Sequence, residues 1–227
     1  AGELGGWIES EENLSQDGNA WIYDEAMVFN NAKVFDNAKV FADAKVFDNA
    51  KVFINAKILG NAIVYGKAIV YGKAMVYSNA KILGNAIVYG EANIFGNARV
   101  CDCAEVYDKA NICGNAEVYG DAQVYEYGEV FDNAMVFGCA EVYGSAVVCG
   151  RAKIYDVAKV HGHAEVYGNA EIYGCANIYG DTEVYEWAMV YGSAKVYDNA
   201  QVYDDAKVYD NAEVCGNAKV YGSAMVH

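Results

Sequence analysis

The chain has 227 residues, a formal charge of −15 and only two arginines, so it lacks the basic surface that nucleic-acid binding requires. Its mean hydropathy is +0.01 and no long apolar run occurs, which excludes a membrane-spanning segment. With no proline, one threonine, 20 tyrosines and 23 glycines at 21% charged residues, it matches neither an average globular domain nor a disordered chain.

Residues 1 to 18 set Leu4, Trp7, Ile8 and Leu14 among Glu3, Glu9, Glu11 and Glu12. This segment reads as an irregular coil capping the N-terminal end. The chain starts at Ala1 with no visible leader, which reads as a processed or trimmed product. From residue 19 to 227 the sequence runs in hexads such as NAKVFD, NAIVYG and NAEVYG. A small residue recurs at Ala20, Ala26, Ala32 and so on to Ala224, 35 hexads without an insertion, and only Gly128 and Thr182 replace it. Two residues later stands a valine or isoleucine, from Ile22 to Val226. The next residue is aromatic in 27 of the 35, the exceptions being Leu59, Leu83, Cys101, Cys113, Cys149, Cys215, His161 and His227.

In an extended chain successive side chains alternate, so alanine and the aliphatic share one face while the variable residue and the aromatic share the other. The variable position holds Lys33, Lys39, Lys45, Lys51, Glu105, Glu117 and Glu141, so its face is wet. The expected core is therefore alanine plus valine, with the aromatics outside. Glycine at Gly60 or Gly66, followed by asparagine at Asn61, Asn85 or Asn115, supplies residues that tolerate positive φ at a bend. Each hexad is then a short strand plus a corner, and a period of six does not fit an α-helix. The absence of proline agrees, because each amide along such a coil is expected to donate to the coil above or below. The product is an all-β, single-domain parallel β-solenoid with contacts between near neighbours.

The aliphatic-x-Gly-Asn-Ala-x pattern resembles the hexapeptide repeat of left-handed parallel β-helices, in which three hexads form a triangular coil. More closely, LGGWIESEENLSQDGNAWIYD followed by tandem NAxVYG hexads resembles a group of bacterial and phage proteins of uncharacterised role. The resemblance covers the whole chain and implies the handedness and the 18-residue coil. It departs from the commoner hexapeptide pattern by placing tyrosine or phenylalanine directly after the aliphatic residue. Three hexads per coil imply a rod on the order of 55 to 60 Å long at about 4.8 Å per coil. A flattened coil of two hexads is the alternative, and it would set Cys101 beside Cys113.

On the triangular coil Cys103, Cys139 and Cys175 share a turn column at two-coil intervals, roughly 9.6 Å, beyond disulfide reach. The seven cysteines therefore read as small substitutes for aromatic or turn residues, although Cys101, Asp102 and Cys103 offer an adventitious metal two thiolates and a carboxylate. His161 and His163 form an HGH corner without an evident third ligand. The aromatic columns are the candidate binding residues: Tyr167, Tyr185, Tyr203 and Tyr221 in one ladder, Tyr155, Tyr173, Tyr191 and Tyr209 in another. Ile63, Ile69, Met75 and Ile87 occupy normally charged positions and form an apolar girdle.

Neither paired buried carboxylates, nor a nucleophile with a base, nor a phosphate loop is recognisable, so no enzyme, catalytic residue, resident metal or cofactor is expected. Two functions remain. One is a structural protein that joins other copies through its solenoid ends into a fibre or filament. The other is a binding module whose outward ladders hold polysaccharide or another ligand. An extracellular filament or phage association fits the resemblance, while the free cysteines lean toward a reducing origin.

Overall fold

A computed structural model describes residues 4–227, so Ala1 and Glu3 of the lead-in lie outside the described residues. The chain is an all-β parallel solenoid, and its helical content among those residues is one 3₁₀ turn at Glu11–Asn13. Contacts divide it into two compact units, Ala1–Gly114 and Asn115–His227. Each unit is built from three parallel sheets, one per side of the coil.

In the first unit each sheet holds six strands. Register is the same throughout the repeats: Ile63 pairs with Lys45 and Lys81, Ile69 with Lys51 and Ile87, and Met75 with Lys57 and Asn93. Each partner lies 18 residues away, so a coil is three hexads and the two-hexad alternative is excluded. In the second unit Ile172 pairs with Ile154 and Val190, and Ile178 with Val160 and Val196, again at intervals of 18. Cys103, Cys139, Cys149, Cys175 and Cys215 are free thiols.

The two-residue strands follow from the hexad. Lys153 N–H donates to the Ala170 carbonyl at 2.9 Å and Tyr155 N–H to the Ile172 carbonyl at 3.0 Å, so the residues flanking each buried aliphatic tie the coil to the next. The alanine amide does otherwise: Ala158 N–H donates back to Tyr155 at 3.3 Å and closes the corner within its own coil. That corrects the expectation that each amide bonds a neighbouring coil. The corner also uses one left-handed residue where the sequence suggested two. Positive φ falls on the residue after the aromatic, such as Gly72 or Asp156, whereas Asn61, Asn85 and Asn115 are absent from that conformation. Asn61 instead donates to Asn79 at 3.2 Å, Asn79 to Asn97 at 3.1 Å and Asn115 to Asn133 at 3.2 Å, while Asn85 donates to the Cys103 sulfur at 3.9 Å.

The inward columns are closed from Ala20 to Val214, with Val118 and Ile172 fully buried. Ala218 and Ala224 are exposed and Val220 and Val226 half-exposed, so the interior expected to run to Val226 is open over the last coil. Thr182 sits buried where alanine is usual because its hydroxyl donates to the Tyr179 carbonyl at 2.7 Å, which satisfies the extra polar atom. The aromatics are outside the core but half-buried, as at Tyr119 and Tyr173, since each leans on its neighbours along the column.

The lead-in joins the same lattice with a longer step. Trp7 and Ile8 pair with Met27 and Val28, twenty residues on, and Leu14 pairs with Val34 while Gly18 pairs with Asp36. The extra residues are held by Asn13, which is 1% exposed. Its Oδ1 accepts from the Glu9 and Ser10 amides at 3.1 and 2.8 Å, and its Nδ2 donates to the Asn30 and Ala32 carbonyls at 2.9 Å each.

Candidate functional site: ladders and corner columns

Coil stacking carries every outward residue into register with its counterpart 18 positions on. In the second unit the rings of Tyr167, Tyr185, Tyr203 and Tyr221 stack at 4.9, 5.0 and 5.5 Å. Those of Tyr155, Tyr173, Tyr191 and Tyr209 stack at 4.9, 4.9 and 5.2 Å, and Phe137 extends that column at 4.9 Å. Sequence reasoning missed a third ladder, Tyr125, Tyr143, His161, Tyr179 and Tyr197, because it counted histidine as an interruption. In the first unit Phe35, Phe53, Tyr71, Tyr89 and Tyr107 form the longest run, at 4.7 to 5.1 Å.

These rings are nearly parallel, within 15° throughout the ladders. At such spacings each ring covers the faces of its neighbours, so a ligand running along a column meets ring edges and hydroxyls.

Glutamates clamp the ladders from the next coil. Glu171 accepts from Lys153 Nζ at 2.9 Å with one oxygen and from Tyr155 OH at 3.4 Å with the other. Glu213 repeats the pattern with Lys195 and Tyr197, and Glu183 accepts from Tyr167 OH at 3.1 Å. Burial, reinforced by the Glu171 carboxylate, pushes the Tyr155 phenol up to about 12; burial and Glu183 likewise raise Tyr167. The neutral phenol is the form that donates to a carboxylate.

The HGH corner does not converge on one point. His161 is an element of the third ladder, its Nε2 lies 2.9 Å from Asn177 Oδ1, and burial lowers its pKa. His163 is exposed on the corner, with Nδ1 3.2 Å from Asp181. Among the described residues no group of three or more His, Cys, Asp or Glu side chains is arranged to hold a metal ion. The apolar girdle is a band: Ile63, Ile69 and Met75 lie on three different sheets, and only Ile69 and Ile87 are direct neighbours.

The corners carry a second device that sequence reasoning did not find. Where the left-handed residue is acidic, its carboxylate accepts the otherwise unused amide at the same corner one coil later. Asp36 takes Ile54 N–H at 3.2 Å, Asp156 takes Gly174 N–H at 3.0 Å, and Glu126 takes Gly144 N–H at 2.8 Å. The signal was present as aspartate alternating with glycine at that hexad position.

Surface recesses lie on the lead-in and first coils, one bounded by Leu14, Lys33 and Phe35 and another by Trp7, Met27 and Phe29, and both are open to solvent. No helix is long and apolar enough to cross a membrane among the described residues. No family model and no curated protein sequence matches the chain.

Proposed function

We propose that this protein is a non-enzymatic structural solenoid whose coils join end to end with those of further copies into a fibre or filament. The observation that carries the reading is the 18-residue register, which beyond the lead-in repeats in each unit on all three sheets. Because each hexad coil after the lead-in repeats the last, the two edges of such a coil are complementary by construction. Stacking between copies would reuse the backbone ladder, the Ala and Val columns and the aromatic columns, satisfying a ring of donors and acceptors. Such a contact is heterologous, and translation alone does not close it into a ring. The hexads throw out no loop that would enclose a small substrate, which supports a scaffold over catalysis. The charge of −15 opposes side-by-side clumping and favours growth along the axis.

Electron microscopy of the purified chain tests this, alone and with a folded domain fused after His227. Filaments that lengthen with concentration and shorten with the fused domain are expected. Isolated particles at every concentration, or filaments unchanged by the fusion, would overturn it. If isolated particles instead sediment with an insoluble polysaccharide, the ladders Tyr155 to Tyr209 and Tyr167 to Tyr221 hold a glycan through their edges and hydroxyls.

A further inference from the structure

One corner column of the second unit differs in chemistry from the surface around it. Asp121, Cys139, Val157, Cys175 and Ser193 follow the left-handed residue of successive coils, and their amides donate in turn to Gly138, Asp156, Gly174, Gly192 and Asp210. They therefore stand in one column. Both thiols are free and exposed, and Val157 is 47% exposed between them. The unit has seventeen acidic residues against six basic ones, yet no tip from Cys139 to Ser193 carries a charge.

We infer that this edge is an antiparallel pairing surface for a second copy of the chain, locked by two reciprocal Cys139–Cys175 disulfides under oxidising conditions. The spacing dictates the symmetry. Cys139 and Cys175 are two coils apart, roughly 9.6 Å, too far to bridge within one chain. A two-fold axis across the column at Val157 brings each Cys139 level with the other copy's Cys175. The same operation sets Val157 against its own counterpart and Asp121 opposite the hydroxyl of Ser193. Parallel pairing would oppose Asp121 to Asp121, so the antiparallel arrangement avoids that like-charge contact. The interface is isologous, as a closed dimer requires.

The lock needs an electron acceptor, and a small-molecule disulfide such as oxidised glutathione supplies it. The Cys139 thiolate attacks that disulfide and expels one small thiolate. The facing Cys175 thiolate then attacks the Cys139 sulfur of the mixed disulfide and expels the second. Each protein disulfide formed reduces one small disulfide to two thiols, and the two protein protons end on the released thiols. This lateral contact does not depend on growth through the coil ends.

The test uses the full chain carrying Cys103→Ser and Cys215→Ser, incubated in a glutathione redox buffer and examined by light scattering, non-reducing electrophoresis and peptide mapping. A covalent dimer linked Cys139 to Cys175 is expected. Cys139→Ser or Cys175→Ser alone should lower its yield by about tenfold or more, since either removes both reciprocal bonds. Mixing those two variants should restore a dimer with a single bridge. Predominant Cys139–Cys139 or Cys175–Cys175 peptides, cross-linking by either single variant at the starting yield, no restoration in the mixture, or a monomer throughout would overturn the inference. Circular dichroism of each variant checks that a lost dimer is not a lost fold.

Discussion

Ile54 provides a test of the corner geometry on which the register rests. It occupies the left-handed position with φ +62 and is 38% exposed, an unfavourable place for a β-branched residue. Holding an L-residue there costs about 1–2 kcal/mol, whereas glycine avoids that cost but gives up about 0.5–1 kcal/mol through its freer unfolded chain. The residue is still about three-fifths covered, so removing the side chain gives up about 1 kcal/mol of burial, while the backbone donor to Asp36 is retained. These contributions nearly cancel, and Ile54→Gly should leave stability within about 1 kcal/mol of the parent. One coil later the balance tips against a side chain. Gly72 has φ +76, and a Cβ there would lie 2.9 Å from both the nitrogen and the oxygen of Gly90. Gly72→Ala incurs the left-handed cost plus a backbone shift, so a loss of about 1–2 kcal/mol or more is expected. Urea unfolding followed by far-ultraviolet circular dichroism measures both. An Ile54→Gly variant destabilised by much more than about 1 kcal/mol, or a Gly72→Ala variant as stable as the parent, would refute the reasoning.

Ile172 is fully buried between Ile154 and Val190, so Ile172→Ala should lose about 2–5 kcal/mol, while the outward Glu165→Gln should change stability by less than about 0.5 kcal/mol; equal urea midpoints would contradict the inside and outside assignment. Tyr155 is held at about 12 in the folded state and unfolded tyrosine ionises near 10, so its contribution is complete below about pH 10 and disappears as pH rises to about 12. Absorbance at 295 nm should show a late-titrating phase that Glu171→Gln shifts toward lower pH; a single phase near pH 10 for all tyrosines would exclude the clamp.

The solenoid was legible because its core positions are nearly invariant: alanine and a β-branched residue at fixed spacing define an inward face whatever the coil length. The 18-residue coil came from the resemblance, and the register then established it. What escaped sequence reasoning depends on neighbours in the next coil. The Glu171 clamp joins residues 16 and 18 positions apart, and the Asp36 corner acts on an amide 18 positions later. Neither stands out until the coil length is fixed. Asn13 escaped for another reason: it lies in the longer lead-in step, where no repeat marks it, and its four hydrogen bonds are visible only once the chain is folded. The HGH motif was misleading because the outward third position is a ladder site, so His161 stacks while His163 points from the corner.

The interruptions of the aromatic columns bear on what the ladders do. Leu59 shares its coil with Tyr65 and Tyr71, Leu83 with Tyr77 and Tyr89, and Cys101 with Phe95 and Tyr107; in the second unit Cys149 shares with Tyr155 and His161, and Cys215 with Tyr203 and Tyr209. Each coil so divided keeps rings in two of its three columns, whereas Cys101 and Cys113 on either side of Tyr107 leave a single ring in that turn. The gaps are not spread evenly: Leu59, Leu83 and Cys101 all fall outside the column of Phe35, Phe53, Tyr71, Tyr89 and Tyr107, and in the second unit the column of Tyr125, Tyr143, His161, Tyr179 and Tyr197 is broken only by Cys215. The rings kept in the gapped columns still tie coils to their neighbours, which is what a thin Ala and Val core needs, and whether they do so can be tested at a gap. Cys149 is then a vacancy in the stack between Phe131 and Tyr167, and Cys149→Tyr should fill it. Two new ring contacts contribute about 0.5–1.5 kcal/mol each, reduced by the side-chain entropy lost on ordering, so a net gain of about 1 kcal/mol is expected. That corresponds to a thermal midpoint about 2–4 °C higher. Cys149→Ser, which adds no ring, should not gain. A Cys149→Tyr midpoint at or below that of the parent would show that the ladders do not hold the coils together and would return them to the binding reading.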